Sequence, residues 1–233
     1  MKKPTKVPYV FTNEDSNGKH ILTLSGAIRE KYWSDDEAIS AKDIRTALDG
    51  VTDDIVIKLN SLGGDVFQGL EIYNFLKDHA SNITVEVTGE AASAATFILA
   101  GADHVIMNVG TTMMIHEASS FAWGNKSDIK KVLNALDVID QSLVNIYVAQ
   151  TDQDAEQIKS WMSEEKWFTA DEAVKYGFAD EVKKATKKTS DISMDDIAAM
   201  IDQRFAALAT PVPPEPEKPK QKSLLGKLRK EVI

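Results

Sequence analysis

Apolar and polar positions change period several times along the first half of the chain, and each change falls at a turn signal. Ile55, Val56, Ile57 and Leu59 form a β-branched run that stops at Asn60-Ser61-Leu62-Gly63-Gly64. From Val66 the spacing becomes helical, with Val66, Gly69, Leu70, Tyr73 and Leu76 on one face. Ile83, Val85 and Val87 then alternate with polar residues, as a strand requires. Thr88-Gly89-Glu90 reads as a turn into an alanine-rich helix from about Ala92 to Ala102, and Val105–Met107 and Met113–Ile115 read as two further short strands. Strands separated by helices pair in parallel through crossover connections, so the pattern predicts an α/β fold.

A long helix follows, capped by Ser127 or Asp128. Ile129, Val132, Leu133, Leu136, Ile139, Leu143 and Ile146 form one apolar stripe along it. Such a stripe packs either on the protein's own sheet or on another subunit. Proline placement sets the outer boundaries. Pro4 and Pro8 lie at the start, the other five fall between Pro211 and Pro219, and the interval between has none. The chain therefore divides into a flexible segment 1–16, a main domain 17–186, a short accessory helix within 187–208, and a Pro-rich linker with a basic tail over 209–233.

Composition removes several classes of function. No cysteine is present, so disulfides, zinc–thiolate sites and cysteine nucleophiles are excluded. The net charge of −9 opposes general nucleic-acid binding, which needs a positive footprint. No apolar run approaches the ~18 residues of a membrane span, and the lysines at the N-terminus are not followed by the apolar segment of a secretory signal. The expectation is a cytoplasmic protein without membrane association, cofactor or metal.

Three features can carry chemistry. The Gly63-Gly64 turn after a buried strand lets backbone N–H groups approach an anion. Ser93, in Gly89-Glu90-Ala91-Ala92-Ser93-Ala94-Ala95, begins a helix among small neighbours; the N–H of Ala94 belongs to the unsatisfied first turn and can stabilise an oxyanion. Of the four histidines, His116 alone terminates an apolar strand. Singly, these residues read as a tight turn, a helix cap and a satisfied histidine. Together, on one edge of a parallel sheet, they supply a nucleophile, a base and backbone donors.

In order and spacing, these segments resemble the proteolytic subunit of the Clp protease, and within that group the phage head-maturation (prohead) proteases. Asn60-Ser61-Leu62-Gly63-Gly64 is similar to the family's N-S-P-G-G, with Leu62 in place of proline. Gly89-Glu90-Ala91-Ala92-Ser93 is similar to G-x-A-A-S, and Met114-Ile115-His116 to M-I-H. Phe168-Thr169-Ala170 through Asp180 is similar to F-x-[ST]-A-x-E-A-x-x-x-G-x-x-D. The resemblance covers about residues 25 to 182. It implies the ClpP/crotonase-like fold of stacked βαβ units with a projecting handle helix, here Asp128 to Gln150. It also implies Ser93 as nucleophile, His116 as base, the N–H groups of Gly64 and Ala94 as oxyanion hole, and assembly into homo-oligomeric rings.

The third member of the triad departs from the family. Its aspartate belongs a few residues before F-x-[ST]-A, where this chain reads Ser160-Trp161-Met162-Ser163-Glu164-Glu165-Lys166-Trp167. Alignment reaches Trp161 from one side and Met162 from the other. Glu164 or Glu165 is expected to orient His116, with Asp128 and Asp154 as alternatives. The expected activity is ATP-independent serine endopeptidase chemistry on a polypeptide, a capsid or scaffold protein in phage or prophage head assembly. The competing readings are a housekeeping subunit working with a Clp ATPase, crotonase-type acyl-CoA chemistry, and a scaffold-like pseudo-protease.

Overall fold

The computed structural model describes residues 7–184 apart from Asn17 and Ser34; the accessory helix and tail expected over 187–233 lie outside them. Eight strands form one sheet: β1 (Val10–Ser16), β2 (Lys19–Ser25), β3 (Asp54–Ser61), β4 (Ile83–Ala92), β5 (His104–Asn108), β6 (Thr112–Ile115), β7 (Lys166–Thr169) and β8 (Glu181–Lys183). The main path runs β1-β2-β3-β4-β5-β8, while β6 pairs with both β4 and β7. Pairing is parallel except for β1–β2 and β6–β7. The helices are α1 (Ala41–Leu48), α2 (Val66–Lys77), α3 (Thr96–Gly101), α4 (Lys126–Thr151), α5 (Ala155–Ser163) and α6 (Ala170–Lys175). The mixed α/β architecture with a mostly parallel sheet is the one the periodicity predicts.

Alternation places the core. Ile55, Ile57 and Leu59 of β3 and Ile83, Val85 and Val87 of β4 are fully buried, while the intervening residues are half-buried. That is the pattern of central strands covered on both faces. Each helix start has a side-chain cap where the chain leaves extended backbone: Ser40 for α1, Asp65 for α2, Asp154 for α5 and Thr169 for α6.

Three local expectations are corrected. Residues 10–16, read as part of a flexible lead-in, form β1 and pair with β2 along their whole length. Most of their side chains are exposed, so backbone pairing holds the strand and no apolar alternation announces it. Thr88-Gly89-Glu90 is not a turn, since β4 continues through it to Ala92. The register shifts there: Leu59 faces Val87, but Ser61 faces Ala91. Asn60 bridges the irregularity, its Oδ1 accepting the Glu90 N–H at 3.1 Å, and a Cβ on Gly89 would collide with that carboxamide. Finally, α4 is capped by Asn125 rather than Ser127 or Asp128. Asp128 is the reciprocal partner in a capping box.

Candidate active site

Two strand ends bring Ser93 and His116 together. β4 and β6 run in parallel with Ala92 opposite Met114, so the residues that follow each strand emerge at the same edge. The His116 ring Nε2 lies 2.7 Å from Ser93 Oγ. When Nδ1 carries the ring proton, Nε2 accepts from the serine hydroxyl, the arrangement a general base needs. Ser93 has φ 55°, a left-handed conformation that costs a non-glycine residue about 1–2 kcal/mol. It opens a single 3-10 turn (Ser93–Ala95) whose N-cap is Ala92. Ser93 is therefore not a capping serine; the sharp turn presents its Oγ beyond the strand end.

The glycine turn abuts the nucleophile. A Cβ on Gly63 would meet the Ala92 carbonyl oxygen and lie 2.8 Å from Ser93 Cβ, so only glycine permits this approach. Ser61 Oγ, fully buried, accepts the Gly63 N–H at 3.0 Å. Ile28 N–H donates to Gly63 O, and Asp65 N–H donates to Ile28 O. These bonds hold the turn on both sides of Gly64. Gly64, Phe67, Ser93, Ala94, His116, Ala118, Leu143 and Tyr147 are among the residues lining a cleft of about 260 Å³. The Ala94 N–H lies in the first helical turn, where no intrahelical acceptor exists. Among the described residues, no group of three or more His, Asp or Glu side chains is placed to hold a metal ion, and no helix is long and apolar enough to cross a membrane.

The structure does not bring the two glutamates to His116. Glu164 is exposed and accepts a hydrogen bond from Ser160 Oγ at 2.8 Å. Glu165 is exposed at φ 49°, immediately after the α5 C-cap Glu164. Both residues terminate a helix. Asp128 and Asp154 serve as helix-start residues and do not hydrogen-bond His116 either. The positions reached by aligning the family's aspartate are occupied by apolar packing. Trp161 and Met162 are buried, and the Trp161 ring meets Phe168 edge-on at 5.3 Å and Tyr176 at a tilt at 4.9 Å. The segment touches the residue after the base through backbone: Met162 O accepts the Glu117 N–H at 3.2 Å.

Three further residues at the site carried no sequence signal. Asp140 Oδ1 accepts the Ala118 N–H at 2.7 Å. Thr96 Oγ1 lies 2.6 Å from both Ser93 O and Tyr147 Oη. Tyr147 is almost fully buried, and burial pushes its phenol well above the usual tyrosine range, so the hydroxyl stays protonated.

Comparison with known proteins agrees with this geometry. The Clp protease family model matches residues 33–186. ATP-dependent Clp protease proteolytic subunit 3 of Rhodococcus jostii (strain RHA1) is 34% identical over 131 residues, covering 55% of this chain and 65% of that protein. Subunit 3 of Streptomyces coelicolor (strain ATCC BAA-471 / A3(2) / M145) is 32% identical over 148 residues, covering 62% and 64%. Subunit 2 of Tropheryma whipplei (strain Twist) is 27% identical over 169 residues, covering 71% and 91%. The chain thus spans just under two thirds of the first two relatives. The matched segment holds both strand ends and the glycine turn that follows β3, and on that match the chain belongs to the Clp protease family.

Proposed function

We propose that the protein is a serine endopeptidase acting through an acyl-enzyme on Ser93. The observation that carries this reading is the 2.7 Å contact between His116 Nε2 and Ser93 Oγ at the wall of an open cleft. Ser93 Oγ attacks the scissile carbonyl carbon as His116 Nε2 takes the hydroxyl proton. The N–H groups of Gly64 and Ala94 receive the developing oxyanion. Collapse breaks the C–N bond, and His116 returns the proton to the departing amine. Water then attacks the acyl carbon, its proton passes to Nε2, and the acid leaves as Ser93 regains its hydrogen. A fluorophosphonate probe tests this directly. The wild type is expected to become labelled and Ser93→Ala is not; an unlabelled, well-folded wild type would favour a pseudo-protease or crotonase-type chemistry.

The substrate belongs to the same proposal: a capsid or scaffold polypeptide processed in phage or prophage head assembly, in the host cytoplasm, by homo-oligomeric rings. The peptidase domain in this reading takes in β1 with the 17–186 segment, and 187–233 supply recruitment or are self-cleaved. Intact-mass analysis of co-expressed capsid protein checks it, and unchanged assembly and processing after deletion of 209–233 would count against a role for the tail. A second reading is favoured by the names of the relatives, which are ATP-dependent proteolytic subunits: a housekeeping subunit that degrades proteins with a Clp ATPase. Co-purification with such an ATPase separates the two.

A further inference from the structure

The nucleophile and the base are each held from behind by α4, through two residues on one helical face. Asp140 and Tyr147 are seven positions apart, two turns of helix, and so project from the same side. Asp140 reaches the segment that carries the base. Its Oδ1 accepts the Ala118 N–H at 2.7 Å, a short charge-assisted bond two residues beyond His116. Tyr147 reaches the nucleophile through Thr96. Thr96 Oγ1 has one proton and lies 2.6 Å from the Ser93 carbonyl oxygen, to which it donates. The Tyr147 hydroxyl, 2.6 Å from the same Oγ1, must then be the donor to Thr96. The chain of bonds is Tyr147 O–H to Thr96 Oγ1–H to Ser93 O.

We infer that Asp140 and the Tyr147–Thr96 pair are positioning residues for the dyad. Ser93 sits at φ 55°, a backbone state that persists only where surrounding structure over-determines it. Its carbonyl is fixed by Thr96, and Thr96, almost fully buried, is fixed by Tyr147. The His116 segment has left β6 and is held at Glu117 by Met162 O and at Ala118 by Asp140. Releasing either clasp leaves Ser93 Oγ and His116 Nε2 intact but lets their separation drift. The cost falls on the chemical step and not on ligand affinity. The inference rests on the peptidase reading above, and its test keeps the two apart.

The measurement is the rate of fluorophosphonate labelling of the full chain against probe concentration, which yields a maximal rate and a half-saturating concentration. Tyr147→Phe, Thr96→Val and Asp140→Ala are each expected to lower the maximal rate by about 10-fold, since sub-ångström misplacement of reacting groups is costly. The half-saturating concentration stays within about 2-fold. Thr96→Ser keeps the hydroxyl and Asp140→Asn keeps an acceptor oxygen, so both recover most of the rate. The pair Tyr147→Phe with Thr96→Val is no slower than the slower single variant, because both act along one route; Asp140→Ala with Tyr147→Phe multiplies. Tyr147→Phe retains the buried ring, and its melting curve verifies folding. Unchanged maximal rates in Thr96→Val and Asp140→Ala, or losses confined to the half-saturating concentration, would overturn the inference. So would an Asp140→Asn variant as slow as Asp140→Ala, which would make the carboxylate charge itself the active element. Labelling that persists in Ser93→Ala removes the peptidase reading instead.

Discussion

Glu165 occupies the left-handed position just past the end of α5, where glycine is the usual residue. Its N–H donates to Met162 O, and its side chain is exposed. Glu165→Gly should therefore relieve backbone strain and raise unfolding free energy by about 0.5–1 kcal/mol, read as a shift in the denaturant midpoint, while fluorophosphonate labelling is retained. Loss of labelling would return Glu165 to the role of His116 partner. Gly63→Ala is the opposite case. Its Cβ would meet the Ala92 carbonyl oxygen and crowd Ser93 Cβ, at φ 84°. A destabilisation of about 1–3 kcal/mol is expected, with loss of labelling even in the folded fraction. These residues show what was legible. Ser93, His116 and the glycine turn stand in short local patterns whose chemistry can be read from their immediate neighbours. Asp140 and Tyr147 act across 22 and 51 residues of chain, and nothing along a helical stripe distinguishes them. Neither glutamate hydrogen-bonds His116 here, and a carboxylate pair near the expected position reads identically whether it orients a histidine or ends a helix.

At the scale of elements, the periodic runs gave the central strands and α2, because burial on both sides of the sheet imposes a strong pattern on sequence. It failed where backbone pairing alone decides, at β1, and where a polar side chain replaces a ladder bond, at Asn60. The segment between β2 and α1 is held in a similar way. Asp36 receives Arg29 Nη1 at 3.1 Å and the Tyr32 N–H at 2.9 Å, and the arginine hydrogen bond, with the backbone donor, draws its carboxyl down to about 2. A depressed folded-state value means that the carboxylate's contribution is present above the ordinary value of 3.8 and is lost as pH falls toward about 2. Wild type and Asp36→Asn should differ in denaturant midpoint at neutral pH and converge over that interval. A difference that persists unchanged to the acid end would show that the carboxylate charge does not hold this segment.

The whole molecule raises a question that its core does not answer. The inner half of α4 is committed to the protein's own structure, with Leu143, Val144, Tyr147 and Thr151 buried. The outer half is not, although the same stripe continues through it. On the stripe Ile129 is 41% exposed and Leu133 56%, Val138 beside it is 68% exposed, and the loop leading into the helix carries Phe121 at 85% and Trp123 at 86%. Such residues gain nothing from exposure to water, and exposed apolar side chains of this size mark a contact surface. A second copy of the chain is the occupant that ring assembly, as proposed, would supply. Leu133→Glu with Val138→Glu is then expected to convert the assembly to smaller species in light scattering, at unchanged helix content. Because the contact is apolar, moderate salt should not reproduce the effect, whereas an ion-paired contact would weaken as added salt shortens the Debye length below its physiological value of about 8 Å. An unchanged mass in the double variant would place assembly elsewhere on the surface and leave the outer half of α4 to a different protein.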